Sequence, residues 1–196
     1  MTAKSDTIAQ KLADDSYGNF FNYLIPDQII ATVWAEAGGI APLKAIIINE
    51  DAPLKARFLA CEVLQQNRFI ALRSRDVKAE VTFIYAQALA NNLTGMANSW
   101  GFLYKHKHDA FGPVGPMLFI LGEEAIPELV KLLDNETIHL YHGSEAATVG
   151  NAYRFRVKDF AAYYIYRIKN IKAVYHETHA VRDAEIEKLK LLLAEE

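Results

Sequence analysis

Ala41-Pro42-Leu43-Lys44-Ala45 recurs eleven residues later as Ala52-Pro53-Leu54-Lys55-Ala56, and the second copy runs on into Arg57-Phe58-Leu59-Ala60-Cys61-Glu62-Val63-Leu64. In each copy a proline suits the first turn of a helix, where the missing N–H would have had no intrahelical partner. The second copy opens a further pattern: a small or branched residue, a base, then apolar residues four, five, seven and eight positions on. Ala56-Arg57 with Ala60, Cys61, Val63 and Leu64 fits it, and Val157-Lys158 with Ala161, Ala162, Tyr164 and Ile165 repeats it. Val77-Lys78 with Val81, Ile84 and Tyr85 is a weaker copy, in which Thr82 breaks the apolar rule. Such spacing puts the apolar residues on one helical face, and that face needs a partner to cover it.

Leu121-Gly122-Glu123-Glu124-Ala125-Ile126-Pro127-Glu128-Leu129-Val130-Lys131-Leu132-Leu133-Asp134 reads as a first helix of the same kind, with Leu129, Leu132 and Leu133 inward. Small residues such as Ala161 and Ala162 let the following helix approach closely. These helix pairs resemble the HEAT-repeat family of α-solenoids, over about 40–66 and 123–169 and, more weakly, at 76–93. Two departures stand out. Ala56 and Val77 are separated by one helix and not by a full repeat, and about twenty residues separate the helices of the second pair. The resemblance implies stacked helix pairs and binding of another macromolecule, without naming the partner. A minority of such proteins are alkylated-base glycosylases that bind DNA, which the acidic net charge speaks against.

The remaining helices follow from caps and breakers. The expected spans are Ser5 or Asp6 to Asp15, Asp27 to Ala37, Pro42 to Ile48, and a helix to about Gln66 capped by Asp51 with Pro53 in its first turn. Further helices are predicted from Asp76 through Leu93, over Glu123–Leu133 with Pro127 in the first turn, over Arg156–Lys169 and over Ala180–Glu195, while Met117–Leu121 reads as a short helix or strand. No alternating Val-, Ile- or Thr-rich strands are evident. The expected class is all-α: one domain, 1–196, built as a HEAT-like α-α superhelix of about seven or eight helices. Two long ordered loops, 95–116 and 134–153, elaborate it. Loops of that length inside a compact fold are usually functional or disordered, and the rings and β-branched residues here argue for order.

Composition bounds the rest. The 196 residues are 52% hydrophobic and 23% charged, with a net charge of −3, which excludes a disordered chain and argues against a nucleic-acid partner. Charge is nevertheless uneven, since residues 55–78 hold six Lys and Arg against two acids, and 152–172 six against one. Nucleic-acid binding along basic helices 55–78 and 154–172 is therefore the lowest of three functional readings. The one cysteine, Cys61, sits in an apolar stripe and reads as inert core. No basic segment followed by an apolar one marks the N-terminus and no apolar run approaches a membrane span, so a soluble, cytoplasmic chain without membrane contact is expected.

All six histidines fall in close pairs: His106 with His108, His139 with His142, His176 with His179. Spacings of two and three let a pair share a metal in extended or helical chain, yet no carboxylate stands at a matching distance. Ser144, between Gly143 and Glu145 and near His142, lacks the flanking glycines of a nucleophile elbow. No cofactor and no metal ion is expected, and the chain reads as a non-enzyme. The expected binding surface gathers the rings and polar groups of both loops: Trp100, Tyr104, His108, Tyr141, His142, Glu145, Tyr153 and Arg156. Trp, Tyr and Arg are the residues that anchor interfaces. The expected function is an interaction module for a protein or peptide. The alternative is an enzyme or metal-binding protein using the His- and Glu-bearing loops 104–109 and 139–145.

Overall fold

A computed structural model describes residues 3–20, 26–104, 112–172 and 177–195. Among these residues the chain is all-helical, with no strand and one isolated antiparallel bridge, Ile138 to Arg156. No single helix among them is long and apolar enough to cross a membrane. The chain divides into two compact units, Met1–Gly95 and Met96–Glu196.

The first unit holds α1 (Ala3–Asp14), α2 (Tyr17–Phe20), α3 (Pro26–Ala37), α4 (Ile40–Ile48), α5 (Leu54–Arg68), a 3-10 turn (Phe69–Arg73) and α6 (Lys78–Ala90). Helix α5 is its axis, because α1, α3, α4 and α6 all pack against it. Every residue from Ala56 to Leu64 is buried, so this helix is enclosed all round. Enclosure forces its polar members to find partners. Arg57 donates from Nε to the carbonyl of Ile47 at 2.9 Å and pairs with Glu80. Thr82, which interrupts the pattern on α6, is buried and donates to the carbonyl of Lys78 at 2.8 Å, so its hydroxyl is satisfied within its own helix.

The helix starts depart from expectation in this unit. Pro53 lies just before α5 with φ −53° and ψ 134°, and no side chain caps that end. Asp51 instead stands in the preceding turn, where its N–H donates to Asn49 Oδ1 at 3.2 Å. Helix α6 begins at Lys78 and not at Asp76, whose carboxylate is drawn away to Lys44 Nζ at 2.9 Å. It ends at Ala90, short of Leu93, because Asn92 turns the chain with a φ of 51°.

The second unit holds a 3-10 turn (Ala97–Trp100), α7 (Pro116–Leu121), a 3-10 turn (Gly122–Ala125), α8 (Ile126–Val130), a π-helical turn (Ala146–Gly150), α9 (Asn151–Tyr153), α10 (Val157–Ile168) and α11 (His179–Ala194). Here α10 is the axis, with α7, α8 and α11 packed on it and every residue from Val157 to Ile165 buried. The two good copies of the sequence pattern thus mark the central helix of each unit. The single helix expected over Glu123–Leu133 is broken. Pro127 lies in the first turn of α8, and its missing N–H and its ring prevent α-geometry from running back through it, so the preceding turn is 3-10. Loop 134–153 is ordered, and its second half is helical rather than loop.

Candidate functional site

Loop 134–153 begins extended, and burial alternates along it: His139 and Tyr141 point in, Leu140 and His142 point out. That period of two puts His139 and His142 on opposite sides, so they cannot share an ion. The backbone of His142 is held instead by Asn98, whose Oδ1 accepts its N–H at 2.8 Å and whose Nδ2 donates to its carbonyl at 2.9 Å. His106, His108 and His176 lie outside the described residues. Among the described residues no group of three or more His, Cys, Asp or Glu could hold a metal ion.

The residues expected to form one surface are mostly interior. Trp100 is fully buried, and its carbonyl accepts the hydroxyl proton of Tyr164 from α10. Tyr104 and Tyr141 are buried against each other, edge to face at 5.3 Å between ring centres. Tyr153 is half-buried, stacked on Phe155 at 5.2 Å and on Tyr104 at 6.4 Å. The structure therefore joins three of the expected rings with Phe102, Phe155 and Phe160 into the packing of the second unit. Burial raises the hydroxyl pKa of Tyr104, and the charge of Glu145 adds to it. Glu145 and His142 are exposed.

Arg156 is buried in an ion cluster. It meets Asp159 at 3.0 Å, Asp183 at 2.7 Å and Glu136 at 3.0 Å, while Arg182 reaches Asp159 at 2.7 Å. Burial opposes the charge on Arg156, but its bonds to Asp159 and Asp183 outweigh that and raise its pKa. Burial likewise opposes the charge of Asp183, and Arg156 and Lys158 overcome it, holding the carboxyl at about 2. This cluster ties the N-terminus of α10 to α11, with no side left open for a ligand to meet Arg156. Cys61 is also closed off, and burial pushes its thiol well above the ordinary range. A small cavity of about 290 Å³ lies beside Val149, Ala152, Tyr153 and Glu177.

A larger concavity lies in the first unit and was not anticipated. A groove of about 570 Å³ is lined by Ile40 and Lys44 of α4, Asn67 and Arg68 at the end of α5, and Phe69, Ile70, Ala71 and Ser74 of the turn that follows. Its form comes from the way α5 ends. The helix tightens into a 3-10 turn, in which residues three apart eclipse one another. Leu72 is buried and Phe69 half-buried in one row; Ile70 and Arg73, in the next row, both face water. Ile70 is 79% exposed, the largest value among the large exposed hydrophobic side chains described.

The polar end of the groove is knitted shut by Lys44 Nζ, which donates to Ser74 Oγ at 2.7 Å and pairs with Asp76 at 2.9 Å. Arg68 lies over the Trp34 ring at 6.0 Å. Among the described residues Arg68, Arg73 and Arg75 form no ion pair. The sequence did carry a signal for this site: the basic excess of 55–78 coincides with the one place where Phe69 and Ile70 interrupt a polar stretch. No protein-family model, no curated protein and no solved structure matches this chain.

Proposed function

We propose that the chain is a HEAT-like interaction module that binds a protein or peptide partner without catalysing a reaction on it. Support for the HEAT-like part is the correspondence between the repeated pattern and the two enclosed helices, α5 and α10. The observation that carries the binding part is the groove between α4 and the turn after α5, where a large aliphatic side chain, Ile70, is left in water beside a concave apolar wall. Burying such a side chain is worth roughly 1.5–3 kcal/mol, a gain that folding leaves unused here and that a partner can collect.

The test is affinity capture from cells of the native host with the wild-type chain and an Ile70→Asp variant side by side, followed by reconstitution from purified components. A partner held by the wild type, lost from the variant and bound again in purified form supports the reading. Equal capture by both proteins rejects the groove as the binding site. Because Ile70 is exposed, the variant keeps its core, and matching circular dichroism spectra verify that.

A further inference from the structure

We infer that the groove after α5 takes an acidic segment of a partner protein carrying a bulky aliphatic side chain, with Ile40, Phe69 and Ile70 gripping the side chain and Arg68, Arg73 and Arg75 reading the carboxylates. This rests on the interaction-module reading above and adds the chemistry of the partner. Three features carry it. The first is composition: one concave site is lined by Ile40, Phe69, Ile70 and Ala71 together with Arg68, and exposed Arg73 and Arg75 lie next to its lining residues in the chain.

The second is geometry. Eclipsing in the 3-10 turn puts Arg73 in the same outward row as Ile70, so a ligand seated on Ile70 meets that guanidinium directly. Arg75 follows Ser74 of the groove wall in the chain and is exposed. The third is the charge left over. Lys44 is answered by Asp76, whereas Arg68, Arg73 and Arg75 have no carboxylate in ion-pair range among the described residues. Three uncompensated arginines at one corner of a chain with net charge −3 form a local positive field. Arginine is suited to reading carboxylates, since its planar fork meets both oxygens at once.

The concave wall decides between acidic partners. Nucleic acid offers phosphates but no bulky aliphatic group to fill a recess of about 570 Å³. A segment with Glu or Asp around Leu, Ile or Met supplies both chemistries at the right scale.

The experiment uses the full chain and a fluorescein-labelled synthetic peptide of about twelve residues, with Leu at every third or fourth position and Glu between. Fluorescence anisotropy is expected to show saturable binding that weakens with salt. Arg73→Glu combined with Arg75→Glu, and separately Ile70→Ser, should each weaken it by about tenfold or more. A peptide with Lys in place of Glu should not bind. If a peptide with Ser in place of Glu binds as tightly as the acidic one, the acidic preference is wrong while the interaction-module reading stands. If none of the peptides binds but phosphatidylserine vesicles or single-stranded DNA are retained through the same arginines, both readings fall. Self-association that vanishes on Ile70→Ser, without peptide binding, assigns the groove to a second copy and overturns the proposal.

Discussion

A single buried carboxyl makes the stability of the first unit depend on pH. Glu62 lies inside α5, and loss of water raises its pKa to about 8, even though the bond to Tyr85 favours the charged form. The Tyr85 hydroxyl lies in range of both Glu62 Oε1 and Gln65 Oε1, the latter at 3.2 Å, yet it has one proton to give. A neutral carboxyl still has an oxygen that accepts from Tyr85, so protonation of Glu62 leaves this bond in place. Folding then takes up a proton wherever the pH lies between the ordinary value of 4.5 and about 8. The stability from this site is complete below pH 4.5 and is lost as pH rises through 8. At about 1.4 kcal/mol per pH unit, the fall from pH 5 to 7.5 is on the order of 3 kcal/mol. Glu62→Gln keeps the hydrogen bonds and removes the titration. Thermal unfolding of both proteins at these two pH values should show the wild type losing ground to the variant as pH rises. Parallel behaviour would mean that Glu62 is ionised in the fold. The residue pattern marked Cys61, Val63 and Leu64 as apolar but left Glu62 out, and the carboxyl's partner, Tyr85, comes from another helix.

At the scale of elements, the π-helical turn Ala146–Gly150 is held by the rings beneath it. A Cβ at Gly150 would come within 2.5 Å of Tyr141 Cδ2 and 2.7 Å of Tyr104 Cε1. Gly150→Ala should therefore cost about 1–3 kcal/mol, the usual penalty for overpacking, seen as a lower melting temperature. A variant as stable as the wild type would show that the rings move aside freely. Glycine at this place was readable only as punctuation in a loop. The helix positions themselves were legible, because proline placement and apolar spacing act within a turn or two. The exact starts of α5 and α6 were not. Asp51 and Asp76 both look like caps in the sequence, but Asp51 stands in the turn before Pro53, and the Asp76 carboxylate is claimed by Lys44 of α4.

For the whole molecule, the two compact units have separate axes, and α5 brings α1, α3, α4 and α6 together within the first 95 residues. A fragment of residues 1–95 should accordingly fold alone, giving a helical spectrum and a cooperative thermal transition. A fragment that stays unfolded would show that its core is insufficient by itself. The groove belongs wholly to this unit, so the folded fragment should also keep the peptide binding of the intact chain.

All-helical class and an apolar face on each of the two central helices were already present in the linear order of residues. Periodicity, prolines and small residues act locally and mark such a face, whereas the full enclosure of α5 and α10, with Arg57, Glu62, Lys158 and Asp159 inside, comes from the helices packed on them. The direction taken by the loop aromatics was not present there. Trp100 lies in the interior, where its carbonyl accepts from Tyr164, 64 residues away, and Tyr104 and Tyr141 lie there packed against each other. Most of the rings that looked like a binding surface became core, and Ile70, which the sequence reading did not single out, was left in water. Burial of a side chain depends on what arrives from distant parts of the chain, which no local pattern encodes.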